Sequence, residues 1–426
     1  MRRITLIAGM AAAGLALAAC GGGGGDTASG GSGSTKDVEV FTWWASGSEK
    51  AGLDALVKVF KEQHPEFAFV NGAVAGGAGS NAKNVLASRL QQGDPPDTFQ
   101  AHAGAELTDY IKAGQIEDVS SLYDQEGWKD AFPKDLVDLL TVDGKIYSVP
   151  SNIHRANVVW ANPAVLKEAG VDSATPPADL DAWIADLQKV KATGKTPLSI
   201  ATDWTQVQLL ETVLLSDLGA DGYTGLWNGK TDWQSPEVTN ALQDYKTLLD
   251  MTNTDRQSLD WPDATQQVID GTAAYNVMGD WAEAAFSEQN KKLGTDYVAF
   301  PVPGTDGTFD FLADSFTLPK GAKNPDGTKA WLNTIGSAEG QLAFNKAKGS
   351  IPARTDANPD DYGDYQKTAL KSFANDTVVP SLAHGAAVPV SWLTDITTAV
   401  SQFSSQGDAK QLQSQLANAA KSNAQS

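Results

Sequence analysis

Apolar and polar positions alternate from Val38 to Trp43, with Val38, Val40 and Thr42 set against Glu39, Phe41 and Trp43, which predicts a strand. The run then breaks into small residues and Gly47. Leu53, Leu56, Val57 and Phe60 come next at helical spacing as far as His64-Pro65, and Phe67 to Val70 reads as a second strand. A glycine-rich loop, Gly76 to Ser80, leads into another helix carrying Val85, Leu86 and Leu90. Gly93-Asp94-Pro95-Pro96-Asp97 then turns the chain into a strand over Thr98-Phe99-Gln100-Ala101-His102. No Lys-Ser or Lys-Thr comes after the glycines, so the loop is read as a plain helix start and not as a phosphate cradle.

Residues 116–140 are poorly periodic, and Val142 to Ile146 predicts a hairpin turn. Tyr147 to Trp160 is extended and is the expected first passage into a second lobe. Helices are predicted at about 163–169, 179–192, 204–218 and 236–251, with a buried strand at Leu198–Ala201 and another at Ala273–Met278, closed by Gly279-Asp280-Trp281. Tyr297–Val302 and Phe309–Leu318 extend again, two helical segments fall at about 327–347, and Lys348 to Pro352 is extended. From 364 onward the chain reads as mostly helical, ending in a polar helix expected to pack weakly. Alternating strands and helices with several long extended segments predict α/β lobes joined by more than one crossing, and so a hinge.

Adjacent strand residues point to opposite faces, so Trp43 and Trp44 cannot both enter one core, and at least one is expected to face open space. In open α/β sheets that space is the crevice beyond the carboxyl ends of the strands. An alanine at Trp44 is accordingly expected to cost binding more than fold stability. Of twelve tryptophans, Trp261 in Leu-Asp-Trp-Pro and Trp281 in Gly-Asp-Trp also stand where a core would not normally place them. Flat aromatic faces stack on the C–H face of a pyranose, while its hydroxyls need carboxylates, amides, imidazoles and ammonium groups. Glu49, Gln100, His102, Asp280, Asp314, Lys348 and His384 all fall at ends of predicted elements and supply that set. Taken alone, Glu49 reads equally as a first-turn helix acid, and Asp280 or Asp314 as a cap or turn residue. His154 reads equally as structural or functional. Lys348 is expected to keep Glu49 and Asp314 ionised.

The N-terminus changes the picture of where this body works. Arg2-Arg3, an apolar run from Ile4 to Leu17 and then Ala18-Ala19 predict a signal peptide over 1–19, ahead of Cys20 and a Gly/Ser-rich flexible tether over 20–36. Leu17-Ala18-Ala19-Cys20 resembles the lipobox of bacterial lipoproteins, which implies a lipid on Cys20 and a body held at the outer face of the cytoplasmic membrane. Cys20 is the only cysteine, so no disulfide or thiol nucleophile is expected. Without Arg2 and Arg3 the basic side chains number 30 against 52 acidic, a net charge of about −22, which argues against nucleic-acid partners. The four histidines are too dispersed for a zinc spacing, there is no HExxH and no Gly-x-Ser-x-Gly, and neither metal nor cofactor is expected. A glycosidase built on paired carboxylates stays open on these residues.

The lipobox, the tether, Val-Phe-Thr-Trp-Trp, Asp-Thr-Phe-Gln-Ala-His, Val-Pro-Ser-Asn-Ile-His-Arg, Asn-Val-Met-Gly-Asp-Trp, Asp-Ser-Phe-Thr-Leu-Pro-Lys-Gly and Ser-Leu-Ala-His-Gly together resemble the family 1 extracellular solute-binding lipoproteins of ABC sugar importers, with the glucose/galactose branch nearest. The resemblance implies an α/β two-lobe fold of the periplasmic-binding-protein type II kind, with three hinge crossings near 147–156, 300–312 and 348–354. The first lobe is then expected from 37–150 with about 310–350, and the second from about 151–309 with 351–426. It further implies a monomer that binds one monosaccharide, performs no covalent chemistry and delivers its cargo to permease subunits, with a surface glycosidase or a disaccharide or oligosaccharide binder as alternatives. Carried over by position, Trp43, Trp44, Gln100, His102, Trp261, Trp281, Asp314, Lys348 and His384 match that family's contacts.

Overall fold

The alternation at the start of the chain is realised in the strand Asp37–Phe41. Val38 and Val40 are wholly buried, while Glu39 stays half-exposed and pairs both carboxylate oxygens with Arg89 at 2.6 and 2.8 Å. The computed structural model describes residues 36–76 and 79–423. The signal peptide, Cys20 and nearly all of the tether lie outside the described residues, as do Gly77 and Ala78 of the glycine-rich loop.

Asp37–Phe41 pairs in parallel with Ala68–Asn71 on one side and Thr98–His102 on the other. The sheet continues antiparallel through Asp314–Thr317 to Ser148–Pro150, so two of its five strands come from far along the chain. Helix Gly47–Gln63 covers this sheet with Leu53, Leu56 and Phe60 and lies along helix Ala338–Lys348. A second sheet has the spatial order Val298–Pro301, Val158–Ala161, Ala273–Val277 and Thr196–Ser199. Each sheet has its own apolar core, one around Phe60, Phe99 and Trp331, the other around Trp183, Leu210 and Tyr245. The result is two α/β lobes.

Between them runs a three-stranded sheet, Thr377–Pro380, Thr308–Leu312 and His154–Arg155. His154–Arg155 lies between Ser148–Pro150 of the first sheet and Val158–Ala161 of the second, and Thr308–Leu312 leads back to Asp314–Thr317. Ile351 pairs with Ile153 in a single bridge, beside the third extended segment seen in the sequence.

Several elements differ from the sequence reading. Residues 116–140 hold three short helices, Ser120–Glu126, Trp128–Ala131 and Lys134–Leu139, each too brief to show a period. The helix expected to stop near 218 breaks at Gly219 (φ 67°, ψ 174°), and a further helical stretch runs on to Asn228. Trp261 opens a helix, Trp261–Ile269, started by an Asp260/Asp263 capping box with Pro262 in its first turn. Strand Thr377–Pro380 interrupts the tail expected to be helical. The last helix, Ala409–Asn423, does not pack weakly: Leu412 and Leu416, one turn apart, are completely buried.

Candidate functional site

The strand Asp37–Phe41 ends one residue before Thr42, and Gln100 ties down the turn from Thr42 to Trp44. Its Oε1 accepts from Thr42 Oγ1 and, at 3.3 Å, from Trp43 N, while Thr42 Oγ1 accepts from Trp44 N at 3.2 Å. Past the strand end the alternation of faces no longer applies, and both tryptophans reach one cleft. Trp43 lies against the His102 ring, centroids 5.0 Å apart, and Trp44 against Phe344 and Phe316 at 4.5 and 5.3 Å. Trp44 is only 1% exposed and belongs to the same apolar core as Trp43, so the expectation that the two cannot share a core is corrected, although both border the cleft as well. Gly79 starts the neighbouring helix Ser80–Gln91 at φ 91°, and a β-carbon there would lie 2.8 Å from the Trp43 ring.

Asp314 is the hub. Its strand pairs antiparallel with Thr98–His102 in the register Asp314 opposite His102 and Phe316 opposite Gln100, and the period of two turns these side chains to one face. Gln100 Nε2 donates to Asp314 Oδ1 at 2.8 Å and Asn152 Nδ2 to Oδ2 at 3.0 Å, while His102 Nε2 and His154 Nε2 stand 3.5 and 3.7 Å away. Burial alone would raise the Asp314 carboxyl, but His102, His154, Lys348 and the Asn152 amide outweigh it and hold the group below its ordinary value. It is therefore ionised, as the sequence expects. His102 is braced from behind: its Nδ1 lies 2.8 Å from Glu106 Oε2, which also accepts from Lys83 Nζ at 2.8 Å. Burial pushes Glu106 up, yet Lys83 and His102 together bring it down to about 2.

The opposite wall is aromatic. Trp281 meets the rings of His154 and His384 edge-on at 5.1 and 5.2 Å, and Trp204 lies 5.9 Å from His384. Asp280 accepts from His154 Nδ1 and, at 3.0 Å, from Arg155 N, so it orients the histidine. Glu49, in the first turn of its helix, and Lys348, in the last turn of the adjacent one, approach to 3.7 Å, and Lys348 Nζ sits 5.7 Å from the Trp281 ring. Here the sequence expectation fails for Glu49. Its side chain keeps 17% exposure, but loss of water within the cleft outweighs Lys348, and with Asp314 and Asp260 nearby its pKa rises to about 7.

The cleft together with the open solvent space at its mouth spans about 350 Å³. All the sequence-predicted candidates within the described residues border it except Gln100 and Asp280, which stand one hydrogen bond behind. Trp204, Leu312 and His154 border it as well. Trp204 escapes sequence reasoning because it stands at the start of a helix, Asp203–Asn228, that otherwise reads as core. The arrangement offers flat apolar walls, an ionised carboxylate, imidazoles and one ammonium, a set suited to a small polyhydroxylated ligand.

The sequence model of a family described as bacterial extracellular solute-binding protein matches residues 44–342. An uncharacterized ABC transporter extracellular-binding protein of Pyrococcus horikoshii is 35% identical over 390 residues, covering 91% of this chain and 88% of its own length. The xylose/arabinose-binding protein XacG of Haloferax volcanii is 32% identical over 369 residues, covering 84% of this chain and 79% of that one. Among solved structures, the bacterial solute receptor AcbH, whose reported substrate preference is exclusively for β-D-galactopyranose, superposes with a TM-score of 0.80 over 91% of this chain and 98% of that chain. At 21% identity that likeness speaks to the fold alone.

Proposed function

The chain belongs to the bacterial extracellular solute-binding proteins, and from that premise we propose that it is the sugar-capturing component of an ABC importer, closing its two lobes on one monosaccharide, glucose or galactose, and handing it to permease subunits. It binds and releases; it is not an enzyme. The observation that carries the sugar reading is the tryptophan-walled cleft around Asp314. The ligands of XacG, xylose and arabinose, and of AcbH, β-D-galactopyranose, are monosaccharides, which supports a single sugar ring here.

In this reading Trp43, Trp44, Trp261 and Trp281 supply the stacking faces, and Asp314, Glu49, His102, Lys348 and His384 take the hydroxyls. Gln100 and Asp280 hold their neighbours in place. The lobes are taken as 37–150 with about 310–350 and about 151–309 with 351–426, and a lipid on Cys20 anchors the body outside the membrane. Calorimetry of the full chain against mono- and disaccharides tests this. Glucose or galactose should saturate a single site, and a protein that binds only disaccharides overturns the monosaccharide assignment. Incubation with aryl glucosides should release no sugar.

A further inference from the structure

Behind the cleft, Glu211 is a wholly buried acid on helix Asp203–Asn228, remote in sequence from every residue assigned to the ligand. Its Oε2 accepts from Leu382 N at 2.6 Å and Ala383 N at 2.8 Å. Ser381 Oγ lies 3.1 Å from Oε1, 3.0 Å from Oε2, and 2.8 Å from Nδ1 of His384. His384 borders the cleft, and its buried Nε2 has no hydrogen-bond partner among the described residues.

We infer that Glu211, acting through Ser381, is a positioning residue that keeps the His384 proton on Nδ1 and turns a bare Nε2 lone pair into the cleft, so that His384 accepts a hydrogen bond from a ligand hydroxyl. This rests on the cleft being a sugar site.

The direction comes from counting protons. Ser381 has one to give. A hydrogen bond to a charged acceptor is roughly twice as strong as one to a neutral acceptor, so the hydroxyl proton goes to Glu211, not to the imidazole. Ser381 Oγ is then left as an acceptor, and Nδ1–H must donate to it. A ring with one proton, spent on Ser381, keeps Nε2 unprotonated. The ring is neutral because burial, reinforced by the charges of His102, Lys83, His154 and Lys348, drives its pKa well below the ordinary value. Asp310, on the strand Thr308–Leu312, sets a second buried carboxyl beside Glu211. Glu211 accepts from the Leu382 and Ala383 amides and the Ser381 hydroxyl, whereas neither oxygen of the buried Asp310 has a donor among the described residues, so the charge of the pair rests on Glu211 and the proton on Asp310.

A ligand that offers a C–H to this position leaves a buried acceptor unpaired, so the relay selects for a hydroxyl there. Glu211→Gln should reverse it. The Leu382 and Ala383 amides pin the carbonyl oxygen at the Oε2 position, the new NH₂ donates to Ser381 Oγ, the Ser381 proton turns to Nδ1, and the His384 proton moves to Nε2.

The test is ¹⁵N-histidine NMR of the full chain, in which His384→Gln identifies the signal among four histidines. The wild type should show the Nδ1–H tautomer and Glu211→Gln the Nε2–H tautomer. Wild-type protein with the proton on Nε2 overturns the inference, as does Glu211→Gln with the tautomer unchanged. Should Glu211→Gln fail to fold, Ser381→Ala serves, and there the Nδ1–H preference should be lost. In calorimetry Glu211→Gln should weaken glucose or galactose binding by about 100-fold, the scale of one buried polar mismatch. If no sugar binds the wild type, the sugar reading fails by itself, and the tautomer measurement still decides the relay.

Discussion

The Trp281 ring occupies the space that a side chain on Gly279 would need: a β-carbon at position 279 would lie 2.1 Å from Cζ3 of Trp281. The glycine is not there for its backbone, since its φ of −61° suits any residue. It is there for close approach, and it sets where one cleft wall stands. Gly279→Ala should therefore displace Trp281 and weaken sugar binding. Overpacking costs roughly 1–3 kcal/mol, which corresponds to about 5- to 150-fold in affinity if the strain is relieved by moving the ring. Titration calorimetry checks this, and unchanged affinity would show that Trp281 is no wall of the site.

Trp44 serves the cleft and the core at once, through its contacts with Phe344 and Phe316. Trp44→Ala should lower fold stability by roughly 3–5 kcal/mol, the usual cost of emptying a buried aromatic site, in addition to weakening the ligand. Urea unfolding without ligand measures the first effect separately. A variant as stable as the wild type would mean that the tryptophan contributes nothing to the core.

Much of this arrangement is legible in the sequence because it is local. The period of two places Gln100 and His102 on one face, and the Gly-Asp-Trp turn marks a strand end. The illegible part depends on contacts between distant segments. Lys348 is expected to keep Glu49 ionised because both charges can be seen in the sequence, but the loss of water that outweighs Lys348 can be seen only in the fold. Thr377–Pro380 is too short to show a strand period, and it forms only because Thr308–Leu312 lies beside it. Glu211 does leave a signal, as the one charge in the run Val207 to Leu215, but its partners Ser381 and Asp310 are remote in sequence.

Glu106 should govern part of the acid response. Its folded pKa of about 2 lies below the ordinary 4.5, so its ionised form stabilises the fold above pH 4.5, and that contribution is lost as pH falls through about 2. Glu106→Gln leaves Lys83 without its buried partner and should cost roughly 3–5 kcal/mol at pH 7. The gap between variant and wild type should narrow steadily below pH 4.5. Denaturant unfolding at a series of pH values measures it, and a gap that widens on acidification would reverse the sign assigned to Glu106.

The remaining prediction concerns motion. Trp44, Trp281, Asp314 and His384 are each no more than 4% exposed, so a sugar cannot reach them in this arrangement and the lobes must part to admit it. The chain crossings around His154–Arg155, Thr308–Leu312 and 348–354 would absorb that rotation. A ligand stabilises the closed form only by the contacts it makes there and not in the open one, and here those contacts come from both walls. Small-angle scattering should therefore show a smaller radius of gyration with saturating sugar than without. Trp281→Ala, which removes one wall, should compact less at the same ligand concentration. Equal radii with and without sugar, in a sample proven by calorimetry to be saturated, would mean that the lobes do not open and that the ligand enters by local movement of side chains.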